Sequence, residues 1–334
     1  MWKSSAWEAW EHTTPVSTTN CPASNSWASR IVDRDRAREV AQRFKTSTYT
    51  QLTFLESVDA VSIAVPTRHH ADVAQEAIDD GVNVLVEKPF VINPERGQGL
   101  LKAADKAGVV VQVGHVERYN PAILAFRDVL ADVNPLAVAA RRQGPPVDRD
   151  DKASVIYDLM IHDIDIVLSM TDADVKEVSA MGVSDHNHVI AQLGFENGLL
   201  ASLTASPITQ ERIRDLAVTA EECQIDVDYM DQSVEIHRRS LPEYVADDGE
   251  VRFRHESVIE RLTVQNGEPL KNELSEFVEA AQEGEIPRMS GRDGLCAVKI
   301  ARQIEASIDP ARVDGDAGRS AAAADGGSSA SDRE

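Results

Sequence analysis

The chain has 334 residues, 42% of them hydrophobic, enough material for two domains with packed cores. Its formal net charge of -22 and sequence pI of about 4.8 oppose binding to DNA, RNA or anionic lipid, and read as the solvated acidic surface of a protein living in concentrated salt. No apolar run is long enough to cross a bilayer, the start lacks a basic-plus-apolar leader pattern, and Cys21, Cys223 and Cys296 are too scattered for a disulfide framework or a metal cluster, so a cytoplasmic protein without a structural metal is expected.

Residues 1–30 match nothing that follows them: all four tryptophans (Trp2, Trp7, Trp10, Trp27) lie there, and no glycine occurs before Gly81. Ile31-Val32-Asp33 reads as the end of a strand, and Asp35 to Phe44 as a helix with Ala37, Val40, Ala41 and Phe44 on one face. Val58 to Val65, closed by Pro66, Val82 to Val86, and Val109 to Val113 read as buried strands. Between them, His69 to Asp80 and Pro94 to Ala107 read as helices ended by Gly81 and Gly108. Strands joined by crossover helices predict a parallel, doubly wound α/β sheet over residues 31–120, a dinucleotide-binding arrangement.

From Pro135 the texture changes. Leu136 to Ala140, Val175 to Val183, Val189 to Phe195, Leu199 to Ala205, Leu216 to Thr219, Gln224 to Val227 and Ser233 to His237 are strand-like. Glu196-Asn197-Gly198 signals a hairpin turn. One helix, about Ser154 to Met170, interrupts the strands, and Glu273 to Glu283 and Gly294 to Ser307 close the domain. Residues 121–309 therefore predict an α/β domain with a largely antiparallel sheet, for substrate and oligomer contacts, and residues 310–334 a low-complexity, disordered tail.

A doubly wound nucleotide domain needs a glycine-rich turn after its first strand, where backbone must approach a pyrophosphate. That turn belongs within residues 1–30. Tryptophan has the single codon TGG, so Trp-Glu read one base earlier becomes Val, Leu or Met followed by an obligatory Gly. Ala6-Trp7-Glu8-Ala9-Trp10-Glu11 thereby forces two glycines three codons apart. Wobble choices at Ser5 and Glu8 permit Gly-Val-Gly-Ser-Met-Gly, the dinucleotide fingerprint, and Trp2-Lys3-Ser4-Ser5 can become the strand Val-Glu-Val-Ile. Two compensating frame changes bracketing residues 1–30 are expected; the alternative is an amphipathic or disordered extension. Asp33 then lies about 20 residues beyond the last glycine, where a ribose-binding carboxylate belongs. It favours NAD, while Arg34 beside it leaves NADP open.

Chemistry concentrates in three stretches. Glu87-Lys88-Pro89 follows a buried strand, at the carboxyl end where open parallel sheets bind ligands. A lysine partly withdrawn from water there can relay a proton, because desolvation draws its pKa down from ~10.4; an exposed strand-end lysine is the alternative. Asp158 and His162, four residues apart on a helix, share one face, so the carboxylate can hold an imidazole that accepts a hydroxyl proton. A surface ion pair is the alternative, and no third ligand has metal-binding spacing. Gly114-His115-Val116-Glu117-Arg118-Tyr119-Asn120-Pro121 falls at the domain junction, where Arg118 offers a bidentate grip on a diphosphate or a structural pair to Glu117 or Asp128. Arg212 and Arg214 are weaker diphosphate candidates; His186 and His188 read as a surface pair, and Arg141-Arg142 as a solvated strand edge.

Ala64-Val65-Pro66-Thr67-Arg68-His69-His70, Gly81 to Pro89 and the Asp158/His162 pair together resemble the glucose–fructose oxidoreductase / inositol dehydrogenase / MocA (Gfo/Idh/MocA) family, over Ile31 to Ser307. Glu117 to Pro121 and Ala205 to Arg214 look most like its UDP-N-acetylglucosamine 3-dehydrogenase branch. The resemblance implies a Rossmann-type domain followed by an α/β domain, and NAD(P)-dependent oxidation of a secondary hydroxyl on a sugar or nucleotide sugar. It makes Lys88 and His162 catalytic, with Asp158 orienting the imidazole. It places Pro66, Thr67, His70, Glu87 and Lys88 with Asp33 and Arg34 on the cofactor, and Arg118, Tyr119, Asn120 and His162 on the sugar. For His70, a satisfied helix-start histidine is the alternative. A homo-oligomer formed through the open sheet face is also implied. The rival readings are an inositol or free-sugar dehydrogenase, and a catalytically silent sugar- or nucleotide-binding or decayed member.

Overall fold

The computed structural model describes residues 28–30, 47–49, 55, 58–146, 154–183, 187–239, 243–247, 250–254 and 257–309. Asp33, Arg34, the helix expected from Asp35 to Phe44, His186, the tail after Pro310 and nearly all of residues 1–30 lie outside the described residues. The helices are α1 (His70–Asp79), α2 (Pro94–Ala107), α3 (Pro121–Leu130), α4 (Ile161–Leu168), α5 (Pro269–Glu283) and α6 (Gly291–Ile308). The chain forms two units, one of Met1–Leu124 with Gln265–Cys296, the other of Ala125–Val264 with Ala297–Glu334. Among the described residues no helix is long and apolar enough to cross a membrane.

In the first unit, β3 (Ala60–Ile63), β4 (Asn83–Glu87) and β5 (Val111–Gly114) form a parallel sheet in that order. The valine-rich strands are buried, with Val84, Val86 and Val113 at 0% exposure, as both faces of a parallel sheet require. The crossovers α1 and α2 pack on each other. Asn93 caps α2 by accepting from the Glu95 and Arg96 amides at 2.8 and 3.4 Å, and Gly108, at φ +71°, ends it in the left-handed conformation. Upstream, β1 (Ala28–Arg30) and β2 (Ser47–Tyr49) pair in parallel as a separate ribbon.

Residues 265–296 were expected in the second domain and pack in the first. The reason is burial: Leu274 and Phe277 of α5 close over Leu85 of β4, with Ala60 and Leu270 alongside. The start of α6 also approaches β5 very closely. A Cβ added at Gly294 would stand 2.5 Å from Val113 Cγ2, and one at Gly291 2.7 Å from Val111 Cγ1.

The second unit holds β6 (Pro135–Gln143), β7 (Val175–Gly182), β8 (Val189–Phe195), β9 (Leu200–Ser206), β10 (Ile213–Ala220), β11 (Cys223–Asp228), β12 (Ser233–Arg239), β13 (Glu243–Asp247), β14 (Glu250–Arg254) and β15 (Ser257–Arg261). Eight form one sheet in the order β15-β12-β11-β10-β6-β9-β8-β7, antiparallel except for the β6–β9 pair; β13 and β14 form a hairpin of their own. The β8–β9 hairpin turns at Asn197-Gly198, with Gly198 at φ +90°. Alternation puts Val189, Ala191, Leu193 and Phe195 inside, and a π-helical turn, Ile156–Met160, with α4 covers β6 and β9.

Candidate active site

The register of the parallel sheet sets Ile63 beside Val86 and Val86 beside Val113, and the next step pairs Glu87 with Gly114. Three strand-end segments therefore leave one edge of this sheet together: Ala64 to Thr67, Glu87 to Pro89 and His115 to Asn120. This is the edge where open parallel sheets take ligands. The Lys88–Pro89 peptide is cis. Lys88 and Thr67 are half-buried and Pro66 is exposed.

His70 ties two of these segments together. Its Nδ1 lies 2.9 Å from the Pro89 carbonyl and its Nε2 2.8 Å from that of Val65, and the side chain is 1% exposed. Burial lowers its pKa against the opposing pull of the two carbonyls. The ring thus lies between two backbone carbonyls, one from each segment, and the neutral form donates to one of them.

Glu87 also turns inward. Its Oε2 accepts from the Lys88 amide at 3.3 Å, and a Cβ at Gly114 would stand 2.9 Å from the same oxygen, so only glycine leaves room for this carboxyl. Burial raises its pKa to about 7 against the pull of Lys88.

Residues 116–119 form a tight 3-10 turn. Arg118, Tyr119 and Asn120 are 6%, 1% and 3% exposed, so the sugar contacts expected of them meet buried side chains. Asn120 donates through Nδ2 to Glu117 at 3.2 Å and accepts from the Ala122 amide at 3.1 Å, which caps α3. Tyr119 accepts from Asn272 at its carbonyl, and burial, followed by Glu276 and Glu273, pushes its phenol far up.

In the second unit, Asp158 lies in the π-helical turn and His162 in the first turn of α4. Insertions of this kind recur at functional sites because they re-aim side chains within a helix. Asp158 is half-buried; His162 is 3% exposed, and Asp165 is 1% exposed.

One pair beside His162 escaped the sequence reading. Arg142 is a core residue, not a strand edge: it is 2% exposed and grips Asp163 with Nε at 3.0 and 3.2 Å and Nη2 at 2.8 Å. The guanidinium also lies 5.1 Å from the centre of the Tyr229 ring. Strand alternation held the signal, since Val138, Ala140 and Arg142 share the buried face. Arg141 points outward to Asp215. Arg212 and Arg214 are half-buried. Among the described residues no group of three His, Cys, Asp or Glu side chains is arranged to hold a metal.

The residues 9–115 match the model of an oxidoreductase family with an NAD-binding Rossmann fold, and residues 130–226 that of the GFO/IDH/MocA C-terminal domain. A sheet of this kind with that match defines a nicotinamide-dependent oxidoreductase. UDP-N-acetylglucosamine 3-dehydrogenase of Acidithiobacillus ferrooxidans is 33% identical over 210 residues, 61% of this chain and 67% of that protein. Inositol 2-dehydrogenase of Rhizobium meliloti is 27% identical over 263 residues, 73% and 76% of the two chains. The solved structure of the Acidithiobacillus enzyme superposes with a TM-score of 0.76 at 28% identity, covering 84% of this chain and 88% of that one. The chain belongs to the Gfo/Idh/MocA family, and its cofactor class is NAD(P).

The residues fit that cofactor at one end. Pro66, Thr67 and Lys88 follow the carboxyl ends of β3 and β4, where open parallel sheets take ligands. The pyrophosphate half needs a glycine turn, and residues 1–80 contain no glycine.

Proposed function

We propose that this protein is a dehydrogenase for a secondary hydroxyl on a sugar ring, with a nucleotide sugar such as UDP-N-acetylglucosamine as the first candidate substrate. The reading is supported by the family match together with two features, one in each unit: a half-buried lysine, Lys88, at the end of β4, and a buried histidine, His162, at a π-to-α helix junction four residues after Asp158. A bound nicotinamide would supply the acceptor for the hydride that leaves the carbinol carbon. His162 takes the hydroxyl proton, Lys88 holds the oxygen and shares that proton, and Asp158 orients the imidazole. Pro66, Thr67 and Lys88 would flank the nicotinamide half, Asp33 and Arg34 the ribose, and Arg118 the diphosphate of the sugar. Asp33 favours NAD over NADP. Met181 and Ile190, paired across β7 and β8 and 76% and 40% exposed, support a homo-oligomer formed on that sheet face.

Two further readings have support. The 27% identity to an inositol 2-dehydrogenase favours a polyol substrate as the second choice. The absence of glycine before Gly81 favours a chain that no longer binds its cofactor, through compensating frame changes around residues 1–30. Titration of NAD and NADP into this chain and into one carrying Gly-Val-Gly-Ser-Met-Gly in the restored frame separates these cases. We expect tight binding only by the restored chain, followed by turnover of UDP-N-acetylglucosamine above free sugars and inositols. Restored protein that binds NAD yet turns over only polyols overturns the nucleotide-sugar choice, and binding by neither chain overturns the frame argument.

A further inference from the structure

Behind Lys88 lies a second carboxyl that the reaction does not use. Glu273, on α5, is 0% exposed, and neither of its carboxyl oxygens has a hydrogen-bond partner among the described residues. Its neighbour Gln112 on β5, also 0% exposed, donates through Nε2 to the Glu273 carbonyl at 3.3 Å, while the Gln112 Oε1 has no donor. An ionised carboxylate and an amide oxygen are both acceptors, so neither can satisfy the other. A proton on Glu273 supplies the donor that both groups lack.

Glu87 makes the same demand from the other side. The two carboxyls act on each other electrostatically, and two negative charges in a dry interior cannot both be sustained. Lys88 lies beside Glu87 and favours its ionised form. The groups acting on Glu273 are Glu87 and Glu276, both acidic, and burial is the largest influence of all. Arg288 and Arg118 are felt at the neighbouring Tyr119 but are not among the influences on Glu273, and the other titratable groups on the turn packed against α5 are Glu117 and Arg118.

We propose that Glu273 is a carboxylic acid kept neutral in the core, beside the parallel sheet that ends in the Glu87-Lys88 dipeptide. The importance of Lys88 to turnover rests on the proposed dehydrogenase reaction; the protonation state of Glu273 does not.

The test uses the full chain with no cofactor. Glutamate labelled with 13C at the side-chain carboxyl is incorporated, and infrared spectra are taken from pH 5 to pH 9. The wild-type protein should keep a protonated-carboxyl band at pH 8. Glu273→Gln should remove it and Glu87→Gln should retain it. Absence of the band in wild type at pH 8, or its loss in Glu87→Gln but not in Glu273→Gln, overturns the proposal. The wild-type spectrum decides neutrality even where a variant folds poorly. Turnover by the frame-restored protein that survives Lys88→Ala would sink the dehydrogenase reading and leave the band in place.

Discussion

Replacing Arg142 with methionine strands Asp163 as a carboxylate inside the second unit. Both charged side chains are almost fully enclosed, at 3% and 2% exposure, and three contacts join them. Removing one partner of such a pair costs about 3–5 kcal/mol, because the survivor stays desolvated without its counter-charge. At about 1.4 kcal/mol per decade, that is a hundred-fold or greater loss in the folded-to-unfolded ratio. The adjacent pair, Arg141 with Asp215, is an internal control: its side chains are 55% and 29% exposed, and exposed pairs contribute about 0–1 kcal/mol. Urea unfolding followed by far-UV circular dichroism measures both, with the two units treated as separate transitions where the curve requires it. Arg142→Met should shift the midpoint strongly and Arg141→Met barely. The double variant Arg142→Met/Asp163→Leu should recover most of the loss, since an apolar pair carries no desolvation penalty. Equal costs for Arg142→Met and Arg141→Met, or a double variant no better than the single, would refute the reasoning.

Other outcomes follow from the same physics. Gly294→Ala should cost about 1–3 kcal/mol by forcing a methyl into Val113, whereas Gly99→Ala, in the interior of α2 with open space around it, should gain about 0.5–1 kcal/mol; paired thermal melts compare them. Glu87 and Glu273 both have raised folded-state pKa values, so the stability they contribute is complete below about pH 4.5 and is lost as pH rises through about 7 and beyond. The urea midpoint should fall between pH 5 and pH 8, and Glu273→Gln should flatten that fall. In the frame-restored chain, His162→Ala and Lys88→Ala should each lower kcat by about 10²–10⁴, the usual contribution of a general acid–base group; stopped turnover assays that find either variant fully active contradict the assigned roles.

Much of the fold was legible because local chemistry and burial agree. The helix expected from Pro94 to Ala107 has those bounds, since an Asn-Pro start and a glycine end punctuate it. The valine-rich strands and the β8–β9 turn were legible for the same reason. What local patterns hid is long-range. That α5 returns to the first unit depends on Leu274 and Phe277 finding Leu85, which no nearby residue announces. The charged strands β13 and β15 lack apolar alternation, β14 was overlooked although Val251 and Phe253 alternate with charged residues, and α3 although Asn120-Pro121 is a helix-start signal.

The candidate site divides the same way. Lys88 stands out because it closes a buried strand, and His162 because it recurs four residues after Asp158. The family resemblance assigns His70 to the cofactor and Tyr119 and Asn120 to the sugar; in the structure His70 lies between two backbone carbonyls, the Tyr119 carbonyl accepts from Asn272, and Asn120 caps α3. Arg142 and Glu273 were missed because charge suggests solvent. A salt bridge in one case and burial against an amide in the other bring them inside.

Transfer of label reports the proposed reaction most directly. UDP-N-acetylglucosamine carrying deuterium on the carbon of the oxidised hydroxyl is incubated with NAD and the frame-restored protein, and the recovered dinucleotide is weighed by mass spectrometry. The account predicts one deuterium in the reduced nicotinamide, lost with Lys88→Ala. Restored protein that binds NAD and the sugar nucleotide but leaves the nicotinamide unlabelled would contradict it.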